Sequence, residues 1–373
     1  MHSIPGRYLE PAKYIWDELL KEKQPLDQII AQFFAAEKKY GKRDRRWISE
    51  PIFYRARNYL LIDELSAADQ WPASYHLASL TTVTERLKRE IETLKAKSVH
   101  LRYSLTPFFY ESLSKKLTED DMEAIRKPGK ACFRINTNIA TVKEIKNTLN
   151  QSEVKNYQLI ENCLILDSRL SRGNPLLKSG KLIPQDMGSQ QVVPFMKVSE
   201  PVDVLDMCAG AGGKAIHLSA VMQNQGTVFA YDHDRHRLNK LKPRLKQTNS
   251  RNIKLLYDLS CQVLFDRVLV DAPCSGSGAI ARHPEIAMRI NQESLARILA
   301  DQQKILSSAA KLLKPGGTLT YATCSLFPTE NEDQVKKFLN EHKEFALKDQ
   351  TLIQPASFSG EGYFVCNLTH RPV

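Results

Sequence analysis

At 373 residues, with 42% apolar and 25% charged residues, the chain has the composition of a soluble globular protein with room for two or three domains and a sizeable core. No run of eighteen apolar residues occurs and the opening stretch MHSIPGRYLEPAKY has no apolar h-region, which argues against a membrane span and a secretory signal and makes a cytoplasmic address the expectation. Lys and Arg outnumber Asp and Glu by 53 to 42, a net +11 that suits a polyanionic partner, and seven cysteines with no CxxC spacing argue against a disulfide framework or a zinc ribbon, so no metal is expected.

Residues 8–62 read as helices. AKYIWDELL places Ile15, Leu19 and Leu20 at helical spacing, and PLDQIIAQFFAAEKKY repeats the pattern with Leu26, Ile29, Ile30, Phe33 and Phe34. A basic cluster of Lys42, Arg43, Arg45 and Arg46 opens the next helix. Residues 81–98 carry Glu and Lys/Arg at i,i+4 spacing, the pattern of an exposed connecting helix. The texture changes near 100. FRINTNIATVKEIKNTL reads as a strand, an N-capping Thr141 and a helix, and YQLIENCLILDSR as two short strands, so a small α+β module is expected up to about 190.

From 200 onward strands and helices alternate, through PVDVLDMC, GGKAIHLSAVMQ, GTVFAYD, RHRLNKLKPRLKQT, NIKLLYD, FDRVLVDAP, QESLARILADQQKILSSAAKLL and GGTLTYATCS. That order predicts an α/β fold, a doubly wound Rossmann-like sheet with ligands at the carboxyl ends of its strands. The expected division is a helical segment over 1–80, the α+β module with its connector over 81–190, and the α/β domain over 191–373. A monomer is expected.

The first strand ends in DMCAGAGGK. Its residues Cys208, Ala209, Gly210, Ala211, Gly212, Gly213 and Lys214 form a tight turn before a helix, where backbone N–H groups can meet a ligand. Asp232, 22 residues after Gly210, ends the second strand, where a ribose-binding acid belongs. A P-loop is excluded, because Cys208 and Ala215 stand where Gly and Ser or Thr are required. Asp206 before the turn favours S-adenosylmethionine over a nicotinamide cofactor, since an acid there faces a cationic group and repels a pyrophosphate. Asp258, ending the third strand, is placed to meet the adenine.

Two further strand ends each present a cysteine in a Ser/Gly/Pro turn: Cys274 in DAPCSGSG and Cys324 in TCSLFPTENE. Cys132, Cys163, Cys208, Cys261 and Cys366 lack such company and read as small packed residues. In the acid-amide-acid run 330–332, Glu332 reads as a cap of the following helix. Arg282 and His283 lie before Pro284-Glu285 either as phosphate contacts or as a plain surface loop.

DMCAGAGGK, DAPCSGSG and TCSLFPTENE resemble three signature motifs of the RNA cytosine-5 methyltransferases of the Sun/RsmB type. LIPQDMGSQQVVPFM is similar to the segment leading into that family's catalytic domain, FRINTN to its RNA-binding module, and GKRDRRWISEPIFYRARN to a short form of the NusB-like helical domain that some members carry. The resemblance implies that Cys324 attacks carbon 6 of a cytosine. Carbon 5 then accepts a methyl from S-adenosylmethionine, Cys274 assists breakdown of the adduct, and Asp271 holds the base and borders the cofactor. It implies an RNA partner, ribosomal RNA ahead of transfer RNA, with the target base single-stranded or flipped out. Two other readings stand beside it: a nicotinamide-dependent dehydrogenase, which uses the glycines and Asp232 but neither thiol, and a non-catalytic RNA-binding or ribosome-assembly factor.

Overall fold

The structure, a computed structural model, describes residues 4–371 except 23, 153, 155, 168, 172, 199, 260–262, 359 and 360. By compactness it divides into a helical unit reaching Lys127, which also takes in Ala279–Gln292, and a second unit of Pro128–Gly278 with the chain from Glu293 on. Among the described residues no helix is long and apolar enough to cross a membrane, and no group of three or more His, Cys, Asp or Glu is placed to hold a metal ion.

In the helical unit, helices Gly6–Lys21, Leu26–Ala36 and Lys42–Arg57 pool one core, with Ile15, Leu19, Leu26, Ile29, Ile48 and Ile52 among its buried residues. Leu20 corrects the helical pattern. It lies five residues after Ile15, about 140° further round the helix, and is 62% exposed. The helix Glu85–Lys97 is capped by Thr84 and carries the expected i,i+4 pair, Arg86 to Glu90 at 2.7 Å. Its apolar residues Leu87 and Ile91 join Leu61, Leu65 and Ala73. That helix therefore packs with the helical unit and not with the α+β module in which the sequence placed it.

The second unit contains two sheets. The smaller has β1 (Ala131–Ile135), β2 (Tyr157–Ile160), β3 (Cys163–Leu166) and β4 (Leu182–Pro184), all antiparallel in the order β2-β3-β1-β4. Helix Val142–Asn150 begins at Thr141, whose hydroxyl accepts from the Glu144 N–H while Glu144 reaches back to the Thr141 N–H. The larger sheet has β5 (Asp203–Asp206), β6 (Thr227–Tyr231), β7 (Ile253–Leu256), β8 (Phe265–Asp271), β9 (Leu313–Thr323), β10 (Phe345–Ile353) and β11 (Tyr363–His370), in the order β10-β11-β9-β8-β5-β6-β7. Strands β9, β8, β5, β6 and β7 run parallel. The order reverses on either side of β5, and that switch point brings the ends of β5, β8 and β9 side by side. β11 pairs antiparallel with both β10 and β9, a hairpin beyond the predicted alternation. The two sheets belong to one compact unit: Asn136 after β1 donates to the carbonyl of Thr248 at 2.9 Å.

Candidate active site

The turn after β5 is shaped by two left-handed residues, Gly210 (φ +54°) and Gly212 (φ +83°). A Cβ on Gly212 would stand 2.2 Å from Leu241 Cδ1, and one on Gly210 would stand 2.9 Å from Arg237 Nη2. At Gly213, the first residue of helix Gly213–Val221, a Cβ would meet nothing within 4 Å. Gly212→Ala is therefore expected to destabilise the protein by more than about 2 kcal/mol, from left-handed strain plus overlap. Gly213→Ala is expected to stay within about 1 kcal/mol; denaturant melts of the two variants decide it.

The turn is held from strand β6. Asp232, buried, accepts from the Gly210 N–H and the Asp234 N–H, each at 2.8 Å, and the Ala209 N–H donates to the Tyr231 carbonyl at 2.8 Å. Arg244 donates to the Ala211 carbonyl. Beside the turn opens a cavity of about 650 Å³ whose walls include Met207, Cys208, Tyr231, His233, Leu259 and Pro273. Asp258 immediately precedes Leu259 in that wall. Asp206 is fully buried at the end of β5, and its two carboxylate oxygens have no hydrogen-bond partner among the described residues. Burial, with Asp271 nearby, pushes its pKa up to about 7 against the opposing pull of Lys214.

Strands β8 and β9 end in the two cysteines. Cys274 Sγ and Cys324 Sγ lie 3.3 Å apart, closer than non-bonded sulfurs and far from a disulfide bond, and both are free thiols. The hydrogen bond with Cys324 and burial push the Cys274 thiol up, so it stays protonated at neutral pH. Around them the backbone is tied together, with the Gly278 N–H donating to the Cys324 carbonyl and the Gly362 N–H to the Gly278 carbonyl, both at 2.9 Å.

Asp271, the last residue of β8, is gripped on both oxygens. Lys214 Nζ donates to one at 2.6 Å and Tyr363 Oη to the other at 2.5 Å. Lys214 also donates to Tyr363 Oη at 2.8 Å and to Ser189 Oγ at 2.9 Å, and is itself buried. Burial and the Asp271 charge hold the Tyr363 phenol well above its ordinary pKa, so it remains a donor. A lysine, a carboxylate and a phenol thus meet in one network in the same unit as the thiols.

Residues 194–368 match the family model described as 16S rRNA methyltransferase RsmB/F. Over this stretch the chain is similar to an RsmB/F-type methyltransferase domain. The chain is 30% identical over 270 residues to a probable ribosomal RNA small subunit methyltransferase B of Bacillus subtilis, covering 65% of this chain and 60% of that one. It is 33% identical over 210 residues to the ribosomal RNA small subunit methyltransferase B of Photorhabdus laumondii, covering 53% and 49%. It therefore spans about half to three fifths of these relatives. Among solved structures, the crystal structure of PH0851 superposes with TM-score 0.80 at 22% identity over 98% of this chain and 99% of that one. NSun6 from Pyrococcus horikoshii, solved with SFG, gives TM-score 0.64 at 17% identity over 70% and 96%. At those identities the likeness is one of fold, a Rossmann-like methyltransferase fold.

Within residues 194–368 the structure gathers Asp206, Lys214, Asp271, Cys274 and Cys324 at neighbouring strand ends, as the strand order predicts. The sequence reading missed Ser189 and Tyr363. No spacing rule links residues 189 and 363 to 214 and 271; the available signal was a tyrosine opening the alternating stretch YFVCNLTH. In the acid-amide-acid run, Glu332 opens helix Glu332–Glu341 as an acid in its first turn, while Asn331 at the N-cap makes no side-chain capping bond; it accepts from Thr323 Oγ1 at 2.6 Å and donates to the Ser325 carbonyl at 2.9 Å. Arg282 and His283 fall in the helical unit, half-buried, with His283 Nδ1 3.5 Å from Glu285. Cys132, Cys163 and Cys366 are buried, and Cys261 lies outside the described residues.

Proposed function

We propose that this chain transfers a methyl group from S-adenosylmethionine to carbon 5 of a cytosine in RNA, with small-subunit ribosomal RNA as substrate, through a covalent bond from Cys324 to the base. The observation that carries this reading is the pair of thiols 3.3 Å apart at the ends of adjacent parallel strands, in the unit that also holds the Lys214–Asp271 pair and the glycine turn. A dehydrogenase has no use for two such sulfurs. The ribosomal substrate is supported by what the relatives in Bacillus and Photorhabdus are described to be.

The residues present fit the cofactor. Asp206 is a buried carboxylate whose oxygens have no hydrogen-bond partner among the described residues, which suits a cationic aminoacyl end. The left-handed Gly210 and Gly212 leave the turn's backbone uncovered by side chains, the cavity wall of Met207, Leu259 and Pro273 suits an adenine ring, and Tyr231 and His233, on either side of Asp232 in the chain, also line it. When bound, the cofactor supplies an electrophilic methyl on a sulfonium. The chain does the rest. Cys324 adds to carbon 6, converting the ring to an enamine whose carbon 5 is nucleophilic. Asp271, fixed by Lys214 and Tyr363, orients the polar edge of the base. Carbon 5, once methylated, gives its proton to solvent water acting as base; the carbon 5–carbon 6 double bond re-forms as the Cys324–carbon 6 bond breaks, and Cys324 leaves as a thiolate, assisted by Cys274.

The test is direct. The purified chain is incubated with methyl-labelled S-adenosylmethionine and small-subunit ribosomal RNA, free and as particles, with transfer RNA as comparison. The modified base is then identified by mass spectrometry. 5-Methylcytosine in ribosomal RNA is the expected product; labelling confined to transfer RNA overturns the substrate, and methylation at any other atom overturns the reaction.

Asp206 makes a separate prediction. Its pKa in the folded chain, about 7, exceeds the ordinary 3.8, so its burial stabilises relative to the unfolded chain only while it is protonated. That stability is complete below about pH 4 and is lost as the pH rises through 7. Asp206→Asn keeps the shape without the charge. It is expected to raise stability at pH 8 by a few kcal/mol, at about 1.4 kcal/mol for each pH unit separating the folded and unfolded pKa values, with the gain vanishing toward pH 4. Cofactor affinity is expected to fall at least tenfold. Thermal melts against pH and calorimetric titration with S-adenosylmethionine check both; an unchanged affinity removes Asp206 from the cofactor site.

A further inference from the structure

Both cysteines are followed by serine, Cys274-Ser275 and Cys324-Ser325, and one buried carboxylate joins the two serines. Glu330 is 0% exposed. Its Oε1 accepts from the Ser275 N–H at 2.8 Å and from Gln302 Nε2 at 3.0 Å, and its Oε2 accepts from the hydroxyls of Ser275 and Ser325. Gln302 Nε2 also donates to the carbonyl of Pro273, one residue before Cys274, at 3.0 Å. Tyr321, three residues before Cys324, donates to the Glu330 carbonyl at 2.7 Å. The clasp is reinforced where Ser277 Oγ lies 3.1 Å from Ser325 Oγ and accepts from the Leu326 N–H at 2.8 Å.

A buried carboxylate is expensive to desolvate, and four hydrogen bonds offset that cost only while all four donors stay in place. Removing the charge loosens donors from two separate strand ends at once. We propose that Glu330 is the positioning residue of the two-thiol centre: by bonding to Ser275 and Ser325 it fixes the loops after β8 and β9 and sets the 3.3 Å spacing of Cys274 and Cys324. Glu330 touches neither sulfur in this role and acts through the serines. The proposal rests on the reading of these thiols as reactive groups, and it adds a requirement which that reading lacks.

Glu330→Gln is the first test, with three readouts. Affinity for S-adenosylmethionine and KM for RNA are expected to stay within threefold of the parent, while kcat falls about a hundredfold, because near-attack geometry is lost and not binding. Iodoacetamide labelling of each thiol against pH, read by peptide mass spectrometry, is expected to move Cys274 to lower pH, since the Glu330 charge opposes its ionisation. The labelling curve does not depend on any methyl transfer, so it judges Glu330 even if no RNA is methylated. A kcat within threefold of the parent, unmoved labelling curves, or a loss of cofactor affinity matching the loss of kcat each overturns the proposal. If Glu330→Gln fails to fold, Ser275→Ala and Ser325→Ala replace it, each deleting one hydroxyl and no charge. Each is expected to lower kcat at least fivefold at unchanged cofactor affinity, and parental kcat in both overturns the proposal.

Discussion

Cys324→Ala is expected to lose methyl transfer by about 10⁴-fold or more while RNA and cofactor binding stay within threefold. In the proposed reaction the substrate sets the requirement. Carbon 5 of cytosine is not nucleophilic enough to take a methyl at neutral pH, and only addition at carbon 6 makes it so. Deleting the attacking atom removes the pathway and does not merely slow it, and losses of this size are usual for nucleophiles that work with a partner. The cost to the fold is small. Cys324 is half-buried at the margin of a core cluster, and its sulfur lies against that of Cys274, so truncation empties little packed space. Filter binding with RNA, calorimetry with the cofactor and a single-turnover methylation assay separate the cases. Full methylation by the variant ends the assignment of Cys324.

If the proposed reaction holds, Cys274→Ala is expected to trap the protein on RNA. In the proposed reaction elimination expels Cys324 as a thiolate, and a donor beside that sulfur stabilises the charge as it develops. Cys274 is that donor: its thiol lies 3.3 Å away and is held protonated by its partner and by burial. Removing one such donor costs about 10²–10³ in rate where the charge is shielded from water. The step that slows comes after the covalent bond has formed, so a protein–RNA adduct accumulates and survives denaturing electrophoresis. Cys274→Ser keeps a donor and is expected to recover part of the turnover with less adduct. A Cys274→Ala protein that turns over slowly with no adduct would place the thiol elsewhere in the reaction.

The parallel half of the fold was legible because it is periodic. Five apolar strands lie between Asp203 and Thr323, with helices between all but β7 and β8 among the described residues; they leave few topologies for a doubly wound sheet, and its strand ends then bring Cys274 and Cys324 together. Gly210 and Gly212 were legible for a related reason, since only glycine takes their φ values at that packing density. What the sequence did not reveal came from side chains that meet across long stretches of chain. Tyr363 reaches Asp271 across 92 residues and Glu330 reaches Ser275 across 55, and neither pairing leaves a spacing signature. Leu20 failed for a simpler reason: an apolar residue next to Leu19 looks like part of a stripe that the helix has already turned away from the core. The helix Glu85–Lys97 looked like a connector because its exposed charges outnumber the two residues it buries, Leu87 and Ile91.

The position of β11 bears on when during synthesis the protein becomes competent. Although it follows β10 in the chain, it sits between β10 and β9 in the sheet, pairing Phe364 with Thr323 and Val365 with Ala322. A nascent chain that has emerged through Cys324 already carries both thiols and the glycine turn. It still lacks β11, the neighbour of β9 on the side away from β8, and the phenol that grips Asp271. The strand that completes this side of β9 is thus the one that carries the phenol to Asp271, so sheet pairing and the grip on that carboxylate arrive together.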